Sequence, residues 1–256
     1  MSTAKVIAVD QVLVFSQHDT QDTVVDAFLT TMVFALAAGR SQVRDRRTQQ
    51  DYEIFTNAWR TKFGSLGWII THASRGYNVT RSLANRTTTL ASELTNTMAG
   101  SSDAGSPGVP NVLAALAKEV EDSKTLSPEL ESLLRFWWDN AKESSGLLYM
   151  GIGTLSQQTS GSTVGPACYL TVLSIDTSKI TRPKPSLLSS APDFDATTWQ
   201  SLFVKISDDV EMSPVQSIAG TLDMATYRNQ ESDIKKALQG RAPDHYHMAA
   251  LSISPA

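Results

Sequence analysis

The chain has 256 residues, a net charge of −4 and a pI near 5.6, with 41% hydrophobic and 19% charged residues. That length suits one α/β or α+β domain with a large core, and the composition is far from the low-hydropathy, high-charge pattern of disorder. The slightly acidic balance leaves no basic footprint for nucleic acid and no polybasic patch for an anionic membrane.

Residues 1–10 hold one Lys and no apolar core ending in a small-residue cleavage site, so they do not read as a secretory signal peptide. Ser2 follows the initiator, which excludes N-myristoylation there, and Ser252-Ile253-Ser254-Pro255-Ala256 is not a prenylation box. The expectation is cytoplasmic synthesis without a signal peptide. No element is read ahead of Asp22.

Residues 22–39 place Val25, Phe28, Leu29, Met32 and Leu36 at helical spacing, with Gly39 as the stop and Arg40 after it. The apolar stretch 27–39 is too short for the roughly 20 residues that span a bilayer. After a basic connector, residues 48–63 set Tyr52, Phe55, Trp59 and Phe63 on one helical face, and Gly64 and Gly67 end it. Residues 67–72 then read as a strand. A threonine-rich helix over 77–98, a loop over 100–110 and a short helix over 111–123 follow; the sequons at Asn78 and Asn85 are read as chance without a secretory route. Ser127-Pro128-Glu129 has the signature of a capped helix start, with Leu130, Leu133, Leu134, Trp137 and Trp138 behind it and Gly146 as its end.

Strands dominate the rest. Residues 147–155 and 167–175 read as a hairpin around a long Ser/Gly-rich loop, and Pro166 fits the start of the second strand because it cannot donate to a ladder. Residues 177–198 form a Pro-rich connection and 199–206 a strand. Residues 220–238 are the last helix, carrying Met224, Tyr227, Ile234 and Leu238, and 245–253 a final strand. The fold class expected is α+β or α/β in one domain over 1–256: a mostly antiparallel or mixed sheet covered by a helical layer, helix-rich over about 10–145 and strand-rich over about 146–256.

Cys168 is the single cysteine. An internal disulfide, a Cys-rich metal site and a CxxC pair are therefore excluded, which leaves a small core hydrophobe or one reactive or acylated thiol. Period two puts Cys168, Leu170, Val172 and Ser174 on one strand face and Tyr169, Thr171, Leu173 and Ile175 on the other. Both are largely apolar, so the strand should be buried and its thiol inert as a nucleophile. A cysteine-protease arrangement would need one of His18, His72, His245 or His247 beside it, and nothing local supports that. His245 and His247 could share a side of a strand, but two imidazoles without a third ligand do not make a metal site. No dinucleotide, P-loop, nucleophile-elbow or zincin motif is present. No catalytic residue and no metal is assigned.

The order Tyr52-x-x-Phe55, then Trp59, then Gly67-Trp68, then a hairpin, a strand and a helix over 222–238 with Tyr227-Arg228, resembles a group of bacterial and fungal proteins of unknown function. More distantly, it resembles the bacterial virulence factor Evf, over about residues 45–240. That resemblance implies an α/β fold of its own with palmitate on a buried cysteine, for which Cys168 is the sole candidate here. The function it implies is a non-enzymatic virulence or host-interaction factor, lipid-attached at Cys168, whose partners are an acyl chain or a membrane surface, with export or peripheral membrane association. The competing expectation is an enzyme or a binder of small apolar ligands, with a pocket between sheet and helices and His72, His245 or Cys168 at its rim.

Overall fold

A computed structural model describes residues 2–16, 20–43, 48–75, 127–140, 143–144, 147–160, 163–176, 212–238 and 245–253. The elements expected over 77–98, 100–110, 111–123, 177–198 and 199–206, both sequons and His18 lie outside them. The described strands are β1 (Ser2–Val9), β2 (Val12–Ser16), β3 (Trp68–Arg75), β4 (Glu143–Ser144), β5 (Leu147–Ser160), β6 (Thr163–Asp176), β7 (Met212–Leu222) and β8 (Tyr246–Ile253). The helices are α1 (Asp22–Gln42), α2 (Gln49–Ser65), α3 (Pro128–Asn140) and α4 (Met224–Ala237).

The strands form one mixed sheet in the order β3-β7-β6-β5-β2-β1-β8, with β4 paired to β5. Every described pair is antiparallel except β2 with β5. Alternate side chains divide the sheet into two faces. Ile7, Val9, Val12, Val14, Leu155, Cys168, Leu170 and Ile218 share one apolar cluster with the buried residues of α1, α2 and α4. On the other face α3 packs along β1 and β8, and its Leu130, Leu133, Leu134 and Trp137 are buried. The α+β expectation of a mixed sheet with helical cover holds, and the two longest helices lie within the first 65 residues.

The N-terminal segment that had no expected element is the hairpin β1–β2, which lies inside the sheet between β5 and β8. Val6 to Val9 and Val12 to Phe15 are buried on both faces, so the runs are continuously apolar and show no alternation. Asp10 and Gln11 form the turn, with Asp10 at φ 53; Asp tolerates this left-handed region better than most residues.

Helix α1 runs three residues past Gly39 and ends with Val43 as its cap. Gly39 is therefore not a stop. A Cβ there would lie 2.8 Å from the Phe55 ring, so the glycine permits α2 to cross close by. At 21 residues and mean hydropathy 1.4, α1 is long and apolar enough to cross a membrane, and 67% of its apolar window is buried inside the fold. It serves here as the central core helix. Thr48 and Asp51 form a reciprocal capping box at the start of α2, and the Tyr52, Phe55, Trp59, Phe63 face is buried as expected. Phe63 stacks on Trp68 at 4.3 Å, whose indole Nε1 donates to Thr31 Oγ1 at 3.0 Å. Gly67, at φ 102, makes the turn between α2 and β3 that a side chain would strain.

Three boundaries differ further along the chain. Helix α3 begins as expected, with Ser127 Oγ accepting from Leu130 N at 3.3 Å, but it ends at Asn140 instead of Gly146 because β4 already pairs with β5 from Glu143. The hairpin expected to carry a long loop keeps its ladder to Ser160 and Thr163, since Gln157 to Ser160 extend as readily as they turn. Pro166 is tolerated inside β6 because pairing with β7 begins only at Ala167. Helix α4 starts at Met224 with Asp223 as its cap; Gly220, read as its first residue, belongs to β7, whose strand had not been expected.

Candidate functional site

Cys168 lies on the helix-covered face of β6, flanked by Leu155 of β5 and Gly220 of β7, with α1 and α4 packed over the strand. It is a free thiol, 6% exposed. Burial pushes its pKa well above the ordinary thiol value, because a thiolate there would lose its hydration without gaining a cation or donor. Such a thiol packs as a hydrophobe and is a poor nucleophile. Leu155 beside it keeps no exposure and Leu170 2%, while Leu222, Met224 and Leu238 keep 6–8%.

His245 and His247 do not lie at this thiol. His72 pairs with Ala219 in the sheet. The Nδ1 of His245 faces Arg40 Nη1 at 3.3 Å. His247 lies 4.5 Å from the Phe136 ring, with Nδ1 3.4 Å from Ser132 Oγ on α3. The guanidinium of Arg40 thus occupies the Nδ1 side of His245. No group of three metal-ligating side chains occurs among the described residues.

A polar junction that the sequence did not suggest occupies the sheet end near the β1–β2 turn. Asp10 is 1% exposed and is ion-paired with Arg40 of α1, whose Nε also donates to Asp10 Oδ2 at 3.1 Å. Arg40 Nη2 donates to Asn140 Oδ1 at 3.4 Å. Beside them, the Gln11 carbonyl accepts from Trp137 Nε1 and from Gly151 N, both at 2.9 Å, and Gln11 Nε2 donates to Tyr52 OH at 3.3 Å. This junction ties the turn to α1, α2, α3, β5 and β8. It is a partly buried, ion-paired network that fixes the packing of those elements.

The described residues also line a recess of about 250 Å³ at the opposite sheet end, between Ile69, Pro166, Thr221, Leu222, Asp223 and Met224. It lies at the end of β6 and β7, where α4 begins, instead of between the sheet and its helical layer. Ile69 is 59% exposed at its wall. Neither His245 nor Cys168 lines it.

No family model matches the chain, and no curated protein does. Among solved structures, the fold is distantly similar to that of the Evf virulence factor, with 10% identity over 93% of this chain and 82% of that one. The TM-score is 0.36, a depth of likeness that carries no argument about activity.

Proposed function

We propose that the protein is a non-enzymatic interaction factor that carries a long-chain acyl group as a thioester on Cys168. The observation that supports the reading is the place of the one thiol in the chain: it faces the apolar interior, on the side of the sheet covered by α1 and α4. A thioester removes the only polar hydrogen of that side chain, and an alkyl chain attached there meets aliphatic neighbours, which is where the hydrophobic effect favours it. The alternative use of a lone cysteine, nucleophilic catalysis, needs a thiolate, and burial opposes its formation.

Two consequences follow from the packing. The folded state holds the thiol covered, so it is reached only when the chain is nascent or when the helical layer over β6 opens. The acyl chain then takes space now held by core side chains, so acylation moves that layer instead of adding a tail to the surface. One acyl chain alone anchors a protein only marginally to a membrane, and a chain sheltered in the core anchors it less.

The test is the intact mass of protein from its native source before and after neutral hydroxylamine. A mass excess of one long acyl chain that hydroxylamine releases, and that is lost in Cys168→Ser, is the expected result. An unmodified mass, together with full biological activity of Cys168→Ser, sinks the reading and leaves Cys168 as a core residue.

A further inference from the structure

One contact of Arg40 depends on protonation in a way its others do not. A guanidinium has only donors and keeps its charge throughout the range in which proteins fold. Against it lie the Asp10 carboxylate of the β1–β2 turn, Asn140 Oδ1 of α3 at 3.4 Å and His245 Nδ1 at 3.3 Å. The carboxamide oxygen accepts at any pH. A ring nitrogen accepts only while it carries no proton, so the His245 contact requires the neutral imidazole with its hydrogen on Nε2. Once Nδ1 is protonated, a donor faces a donor and a cation faces a cation, and the contact changes from attractive to repulsive.

The fold places this ring where its release is felt. Strand β8 stands at one end of the described sheet order, and its ladder with β1 reaches Tyr246 opposite Val9. The next bond beyond that pair runs from Asp10 N to the His245 carbonyl at 3.3 Å. One residue therefore closes the ladder with its backbone and reaches α1 with its ring. Asp10 is 1% exposed at φ 53, a backbone conformation that its surroundings must hold. The Gln11 carbonyl beside it accepts from Trp137 Nε1, so that indole reports on the turn. Other charged groups nearby are engaged elsewhere: Glu131 and Arg135 of α3 bond each other. His247, two residues on, lies against Phe136 and Ser132 of α3, where a proton would set a cation on an aromatic ring instead of on a guanidinium.

We propose that Arg40 and His245 form an acid-sensitive latch: the neutral ring ties the first end of β8 to α1, and its protonation frees that end together with the β1–β2 turn. An imidazole ordinarily changes charge at about pH 6.5, so the latch is closed at neutral pH and opens in mild acid. Asp10 keeps its guanidinium in both states, which confines the opening to the sheet end and leaves the α1–α2 core closed; such local openings need far less than global unfolding. The switch is a charge change on one ring that biases one end of an outer strand. It does not involve Cys168, so it stands or falls independently of acylation.

The test is nuclear magnetic resonance of the full chain labelled with nitrogen-15. At pH 7.5 the His245 ring should be the neutral tautomer with Nδ1 bare. Between pH 7.5 and 5.0 the Asp10 amide should lose protection from exchange by at least about threefold relative to the Leu170 amide in the middle of β6, a reference that removes the chemical effect of pH. The Trp137 indole resonance should move with the same midpoint as the His245 ring. His245→Gln offers Arg40 an oxygen that accepts at every pH, so the response should vanish there and persist in His247→Gln. An Nδ1–H tautomer or an imidazolium at pH 7.5 overturns the proposal, as does a flat Asp10 amide, an equal response in His245→Gln or its loss in His247→Gln. Asp244 precedes His245 in the sequence; a response that Asp244→Asn removes belongs to that carboxylate and also overturns it. Should His245→Gln disturb the fold, the tautomer and the matching midpoints of the parent chain decide.

Discussion

Helices α1 and α4 lie on the same face of the sheet, and they are held there by different means. Twelve of the 21 residues of α1 are buried, including Phe28 and Met32 with no exposure at all. Only Met224, Tyr227 and Ile234 of the 14 in α4 are buried; its polar ties include Lys235, which bonds Asp26 of α1 at 2.8 Å and Glu231 of its own helix at 2.8 Å, and Gln230 Nε2, which donates to the Ser65 carbonyl at 3.4 Å. Those ion-paired groups are half exposed, where such pairs contribute about 0.2–1 kcal/mol and weaken with salt. Helix α1 is thus part of the global folding unit, while α4 is a cover whose local opening should cost less than global unfolding. The difference matters because α4 is one of the two helices packed on β6, the strand that holds Cys168.

The largest effect expected on the α1–α2 side is from Trp59→Ala. Trp59 is 2% exposed beside Phe63, and emptying a buried site of that size costs about 3–5 kcal/mol. Chemical denaturation of the variant checks this. A loss under about 0.5 kcal/mol, the range of surface substitutions, would mean that the aromatic face of α2 is not part of the core and that the contrast with α4 is misplaced.

Ile234→Ala probes the cover itself. Ile234 is 3% exposed, and truncation of such a side chain costs about 2 kcal/mol at the lower end of the usual range, because a single helix that is otherwise solvated can settle into the space. The variant should label at Cys168 with a charged thiol reagent faster than the parent, at an unchanged rate in denaturant. If labelling and global stability fall strictly together, α4 opens only with the whole molecule and is no separate cover.

Gly39→Ala tests the α1–α2 crossing and runs against helix propensity. Alanine is about 1 kcal/mol better than glycine in a helix interior, yet here its Cβ meets the Phe55 ring at 2.8 Å and the Phe55 carbonyl at 3.1 Å. Neither can give way freely in a buried contact, so overpacking of about 1–3 kcal/mol wins and the net result is destabilising by about 1 kcal/mol. A thermal midpoint above that of the parent would show that the helices part without cost.

Gly39 also marks where the sequence could be read and where it could not. A glycine before an arginine at the end of an apolar run has the pattern of a helix stop, and only the position of Phe55, sixteen residues on, reveals it as a crossing point. The face of α2 was legible because Tyr52, Phe55, Trp59 and Phe63 bury one side only and so keep a 3.6-residue period. The β1–β2 hairpin was not, because both of its faces are buried and the turn is Asp10-Gln11, without the glycine that signals most tight hairpins. Helix α4 was expected from Gly220 because Tyr227, Ile234 and Leu238 have helical spacing and nothing in Gly220-Thr221-Leu222 announces that β7 ends there. Burial of Cys168 followed from its two apolar faces. The junction of Asp10, Arg40, Asn140 and His245 could not be foreseen, since residues so far apart in sequence are brought together only by the sheet order. The recess at residues 163–166 depends on one strand outrunning another, which is a matter of register.

The smallest effect separates the two helices by pH. In the folded chain the Cys168 thiol is held neutral by burial, with its pKa raised, whereas in the unfolded chain it ionises near 8.5. Below that value both states carry the proton and the thiol makes no difference. Above it the unfolded state loses its proton while the folded state keeps it, so this contribution to stability is lost as pH rises. At about one unit above the unfolded value the linkage amounts to about 1 kcal/mol. The parent chain should therefore lose about 1 kcal/mol more than Cys168→Ala between pH 7.5 and 9.5, measured by denaturation in matched salt. If α4 lifts readily enough to hydrate the thiol in the native ensemble, the folded protein can ionise it too, and the two curves run parallel. Parallel curves with fast native labelling would move the boundary between the tightly packed core and its cover inward, to the β6 row that Cys168 shares with Leu155 and Gly220.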